Sequence, residues 1–195
     1  MTAQLPLLDV DPQARREDDF YPTPLWMTMA LVAFYKVGLS VLEPCAGDHA
    51  IARYLSETLP VFTNEPFPQP GGPVSEFAMD ATKPESWTLF PEVDWIVTNP
   101  PFRLADQIVP LAVAHAPKVA MLLRLSWLEP TEARSGFLDE HPPDGLIVMP
   151  RHDFRGNGQT DSVTSAWFLW GAGNGIEVVT KAERDRYLSK TRSTP

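Results

Sequence analysis

The feature that most constrains this chain is a repeated alternation of short apolar runs with helical stretches. Apolar runs suited to strands fall at residues 40–44, 60–65, 93–98, 118–124, 145–149, 162–170 and 176–179. Between them lie amphipathic or apolar stretches of helical length at residues 25–35, 50–59, 104–116, 131–138 and 182–190, with a helical turn expected at 87–90. The run 118–124 (KVAMLLR) is apolar nearly throughout, as a strand buried on both faces must be. The alternation therefore predicts an α/β fold, with a mostly parallel sheet covered by helices on both faces. The 21 prolines are spread along the chain, so they punctuate short loops rather than form one linker.

In such sheets, ligands bind at the carboxyl ends of the strands, near the point where strand order reverses. Three polar residues stand at strand ends here: Glu43, Glu65 and Asn99. Each lies beside a proline or glycine turn. That constellation marks the candidate site.

Composition narrows the partners. The chain has 195 residues, the size of one domain, and a formal net charge of −9. The acidity sits in residues 1–102, and residues 151–195 are slightly basic, so a locally positive face is allowed while binding through many phosphates is not suggested. The single cysteine, Cys45, excludes an internal disulfide framework and a Cys-rich zinc site. His49, His115, His141 and His152 are scattered without metal-ligand spacing, so no metal is expected. No run reaches membrane-span length and the start carries no export signal, so a cytoplasmic, unprocessed protein is expected. Residues 1–19 are polar and acidic and predict a flexible leader; residues 20–195 predict a single domain.

The loop Glu43-Pro44-Cys45-Ala46-Gly47-Asp48 follows the first strand and opens a helix. Gly47 lets the backbone turn closely beneath a ligand, and the helix start offers free amides to a carboxylate. Glu43 is placed to hold a cationic amino group. Glu65, 22 residues further on, is placed to accept from ribose hydroxyls, and Asp80, beside Ala81, from an adenine amino group. Cys45 reads as a small residue facing the ligand or the core.

Downstream, a buried strand delivers Asn99-Pro100-Pro101-Phe102. An amino group on a base is a poor nucleophile because its lone pair is delocalised into the ring. Two acceptors on its hydrogens draw the nitrogen toward tetrahedral geometry and free that pair. The side-chain carbonyl of Asn99 and the backbone carbonyl of Pro100 meet this need, and the prolines hold both oxygens pre-aimed. Phe102 offers a face on which a flipped base can stack. By contrast, Trp167, Phe168 and Trp170 read as strand core rather than a substrate platform.

These residues closely resemble the DNA N6-adenine and N4-cytosine amino-methyltransferase family. Phe20-Tyr21-Pro22-Thr23-Pro24 resembles its N-terminal cofactor-covering motif, residues 43–48 its first motif, residues 121–127 its fifth-strand region, and Phe154-Arg155-Gly156 with residues 160–168 its late motif. Their order is that of the gamma arrangement, and the Tyr-Pro-Thr-Pro start is similar to small phage-type members. One departure stands out: the family commonly has a second glycine where this chain has His49-Ala50. The resemblance implies a Rossmann-like, seven-stranded class I methyltransferase sheet with a C-terminal antiparallel hairpin. It implies S-adenosylmethionine as cofactor, held by Phe20, Tyr21, Thr23, Pro24, Glu43, Cys45, Gly47, Asp48, Glu65, Asp80, Ala81 and Asn99. It implies a DNA substrate, single- or double-stranded, whose extruded amino base, most readily adenine, meets Asn99, Pro100, Pro101 and Phe102.

No stretch is long enough to form a separate target-recognition domain. Relaxed specificity, or help from a specificity partner, is therefore expected. Arg151, Phe154 and Arg155, in or beside the Gly-rich loop 152–161, are candidates for contact with flanking bases or phosphates. RNA adenine and release-factor glutamine methyltransferases share the Asn-Pro-Pro-aromatic motif and stay open as alternatives, as does a non-catalytic cofactor-binding subunit.

Overall fold

A computed structural model describes residues 21–68, 71–153 and 163–191. Phe20, Phe154, Arg155 and the leader lie outside these. The elements follow in the order α1 (Leu25–Phe34), β1 (Val41–Glu43), α2 (Ala50–Leu55), β2 (Val61–Thr63), α3 (Pro84–Trp87), β3 (Trp95–Thr98), α4 (Ala105–His115), β4 (Lys118–Arg124), α5 (Glu132–Glu140), β5 (Gly145–Val148), β6 (Ser165–Trp170), β7 (Gly175–Val178) and α6 (Lys181–Thr191). Short 3-10 turns at Phe102–Leu104 and Leu125–Leu128 follow β3 and β4.

The strands form one seven-stranded sheet in the order β2-β1-β3-β4-β6-β5-β7. β1 is parallel to β2 and β3, and β3 to β4. β6 runs antiparallel between β4 and β5. The antiparallel pairing expected near the C-terminus is thus made by β5 and β6, and the last strand, β7, lies parallel to β5 at the sheet edge. Strand order reverses beside β1, with β2 on one side and β3 on the other.

The central strands alternate their side chains between two cores. Val119, Met121 and Leu123 of β4 join one core with Ile108 and Val109 of α4; Ala120 and Leu122 join the other with Met27 and Leu31 of α1. β6 divides the same way, so its aromatic run is core on both faces. Phe168 and Trp170 pack on the α4 side. Trp167 lies on the α1 side and donates its indole N–H to the Met27 carbonyl at 2.9 Å. A residue buried this fully contributes roughly 1.5–3 kcal/mol of burial energy, so the run holds the helical layers to the sheet.

Among the helices, two boundaries depart most from the sequence reading. The helix expected over 50–59 ends at Leu55, and residues 56–59 are turn. The turn expected at 87–90 is a short helix that starts earlier, with Pro84 in its first turn, where the missing proline N–H costs nothing. Near the start of β3, Asp94 Oδ2 accepts from the Ser40 hydroxyl at 2.6 Å and from its amide at 3.1 Å. This clamp sets β1 beside β3 and so sets the spacing of Glu43 and Asn99 at their far ends. Among the described residues no helix is long and apolar enough to cross a membrane.

Candidate active site

The carboxyl ends of β1, β2 and β3 open onto one cleft of about 340 Å³ at the switch point of the sheet. That is within the usual span of small-molecule sites, roughly 300–1,000 Å³. Its walls include Tyr21, Thr23, Glu43, Cys45, Gly47, Asp48, Glu65, Asp80, Ala81, Asn99, Pro100 and Pro101. The polar residues expected from sequence therefore meet in one place. Pro24 does not line the cleft; it precedes α1 with an extended backbone and accepts the Met27 amide at its carbonyl. Phe102 follows the wall residue Pro101, and its ring centroid lies 5.6 Å from that of Tyr21. Arg151 is exposed and stands apart from the lining.

Glu43 is 2% exposed. One carboxylate oxygen accepts the Ala52 amide at 2.8 Å, closing the first turn of α2 from outside. Burial pushes its carboxyl well above the usual carboxylate value of 4.5; the Ala52 amide opposes this, and the charges of Asp48 and Glu65 push it further. Glu65 is also buried. Its two oxygens accept the amides of Gly47 at 2.8 Å and Phe67 at 3.0 Å, so it shapes the glycine loop as well as lining the cleft. Asp80 accepts from the Thr82 amide and hydroxyl at 2.9 and 2.7 Å, which fixes its turn.

The loop departs from the familiar glycine pattern at His49, and the structure shows the consequence. His49 carries a left-handed backbone, φ 60°, the conformation a glycine adopts without penalty. Its Nε2 shares a 2.9 Å hydrogen bond with the Ser75 hydroxyl. Burial draws its pKa below 6.5, against the charges of Glu76, Glu65 and Asp48. Cys45 lines the cleft and also packs against the core, as expected for a small residue at that boundary.

At the end of β3, Asn99 donates its side-chain amide to the Tyr21 carbonyl at 2.9 Å and to the Thr23 hydroxyl at 3.0 Å. A carbonyl can only accept, so the partner fixes which end of the amide is nitrogen. Asn99 Oδ1 is left as a free acceptor: among the described residues nothing donates to it. The Pro101 carbonyl accepts the Leu104 amide at 2.9 Å, whereas no described residue donates to the Pro100 carbonyl. Two acceptors on adjacent residues therefore stand at the cleft wall.

Sequence reasoning missed Asn64. Its side chain is fully buried; its amide donates to the carbonyls of Pro44 and Met79, and its oxygen accepts the Met79 amide, all at 2.8–2.9 Å. It ties the loop after β1 to the segment carrying Asp80. The only sequence signal was an amide-bearing residue in an apolar strand. Phe67, Lys83 and Gln107 also line the cleft and were not singled out.

No family model and no curated protein matches the sequence. Solved structures do match in fold. A type I restriction-modification methyltransferase subunit from Streptococcus thermophilus superposes with a TM-score of 0.59 at 15% identity, covering 90% of this chain and 54% of that one. The modification subunit of a putative type I restriction enzyme from Vibrio vulnificus gives 0.61 at 14%, covering 94% and 55%. A putative class I S-adenosylmethionine-dependent methyltransferase from Listeria monocytogenes gives 0.57 at 9%, covering 88% and 71%. The fold is that of the class I methyltransferases. This chain spans about half the length of the two restriction-modification subunits. The cleft described above lies at the switch point of the sheet, where open α/β sheets in general bind ligands.

Proposed function

We propose that this chain is an S-adenosylmethionine-dependent methyltransferase acting on the exocyclic amino group of an extruded DNA base, most readily adenine N6. The observation that carries this reading is the orientation of Asn99. Its amide is spent on Tyr21 and Thr23, which leaves Oδ1 and the neighbouring Pro100 carbonyl as an acceptor pair.

The cleft fits the cofactor in its donor set. Glu43 is a buried carboxylate with no cation beside it among the described residues, and a cationic amino group would compensate it. Glu65 and Asp80 present acceptors for hydroxyl and amino groups, while Phe67, Leu104 and Ile108 give apolar wall for a ring. When bound, the cofactor supplies a sulfonium-activated methyl group. The chain's own residues supply positioning. Asn99 Oδ1 and Pro100 O would hold the two hydrogens of the target amino group and localise its lone pair. Tyr21 and Thr23 would keep Asn99 from rotating. Phe102 would stack on the base. Arg151, Phe154 and Arg155 are assigned to flanking contacts, and residues 20–195 to one catalytic domain.

Adenine N6 and DNA rest on the Asn-Pro-Pro-Phe motif and its flanking motifs, with support from the fold shared with restriction-modification subunits. Such subunits act within larger assemblies, and a partner supplying sequence specificity is part of the proposal. The test is incubation with tritiated S-adenosylmethionine and random-sequence DNA, RNA or protein, followed by nucleoside analysis. Label in N6-methyladenine supports the reading. Label in glutamine, or in RNA alone, replaces the substrate while keeping the chemistry.

A further inference from the structure

β4 ends at Arg124, and the strand pattern decides where that side chain goes. Ala120 and Leu122 face the α1 core, and a strand alternates, so Arg124 lies on the α1 side beyond the end of that core. The parallel register pairs Thr98 with Met121, which brings Arg124 abreast of the Pro101–Phe102 corner. There its guanidinium carbon lies 4.7 Å from the centroid of the Phe102 ring. Arg124 is exposed. Among the described residues it pairs with no carboxylate, in contrast to Arg134 and Arg184, which have Asp106 and Asp185.

A planar guanidinium over an aromatic ring covers the area a base would need. At the solvent edge such a contact is weak, and a larger aromatic ring can displace it. The released fork would then stand beside an extruded nucleotide, whose backbone phosphate is an anion of a geometry that a guanidinium matches.

We infer that Arg124 covers the base-stacking face of Phe102 in the empty site and, on substrate binding, moves to a backbone phosphate of the extruded nucleotide. This rests on the nucleic-acid reading above. The test measures binding of a fluorescein-labelled random-sequence duplex by anisotropy from low to moderate salt, with methyl transfer and cofactor affinity measured in parallel. Arg124→Ala should flatten the slope of log affinity against log salt by about 0.9, the value of one duplex phosphate contact. It should also raise the KM for DNA by about tenfold, the low end for one charge-assisted contact, and leave cofactor affinity unchanged. Arg124→Lys should keep the salt slope, because it keeps the charge. An unaltered slope and KM in Arg124→Ala, with transfer intact, overturns the inference alone. A wild-type protein that neither binds nor methylates nucleic acid overturns this inference and the underlying DNA reading together. Methylation of protein by that wild type would spare the Asn99 chemistry.

Discussion

The side-chain amide of Asn99 donates to the backbone carbonyl of Tyr21, 78 residues earlier in the chain. The bond joins the extended entry before α1 to the tip of β3, and it fixes which face of Asn99 looks into the cleft. The Thr23 hydroxyl completes the grip. Thr23→Val removes that partner while keeping shape. At saturating cofactor, transfer should slow about fivefold, the worth of roughly 1 kcal/mol for one hydrogen bond. Single-turnover kinetics beside cofactor titration checks this.

Glu43 gives a prediction with opposite signs on stability and binding. Its folded pKa is raised, so the folded state holds the proton after the unfolded chain has lost it. The penalty for burying the charge is absent below the usual value of 4.5, grows as pH rises through the window above it, and persists beyond the raised pKa. Glu43→Gln can still accept the Ala52 amide but carries no charge. Its melting temperature should exceed the wild-type value above that window and converge with it at low pH. Its cofactor affinity should fall by about 10- to 100-fold, as for loss of a charged hydrogen-bond partner. Wild-type affinity should also weaken as pH drops through the raised pKa, because a proton competes with the cationic amino group. Thermal melts and calorimetric binding across pH test both signs.

His49 occupies a left-handed backbone position held by Ser75. Asparagine tolerates that conformation and a β-branched residue does not. His49→Asn should stay within about 1 kcal/mol of wild type, whereas His49→Val should lose roughly 2 kcal/mol or more and weaken the cofactor. Denaturant unfolding of the pair separates backbone strain from side-chain loss.

Asn64 satisfies three buried backbone groups at once. Asn64→Ala leaves them unpaired, at about 1–3 kcal/mol each, so a loss of at least about 3 kcal/mol is expected. Asn64→Asp should do no better, because a carboxylate would face the carbonyls of Pro44 and Met79. Urea denaturation measures both variants.

The sheet was legible in the sequence because its central strands are apolar on both faces, as β4 and the aromatic β6 illustrate. The strand-end positions of Glu43, Glu65 and Asn99 followed from the same pattern. Partnerships were less visible. Asn64 looks like any strand residue until β2 is laid beside the Asp80 turn. Arg124 meets Phe102 only through the register of β3 against β4, which no local pattern encodes. The end of α2 was misplaced because residues 56–59 continue a helix-compatible composition, while the backbone turns toward Pro60. The placing of β7 parallel to β5 depends on the path of the chain after β6, and two exposed apolar residues, Ile176 and Val178, gave no sign of it.

The most direct test of the central claim is methyl transfer by Asn99→Ala, with cofactor binding measured on the same preparation. The account predicts that transfer to DNA falls by at least about 10²-fold, the scale for losing one preorganised polar group, while cofactor affinity changes little. Transfer at the wild-type rate by a variant that still binds cofactor would contradict it.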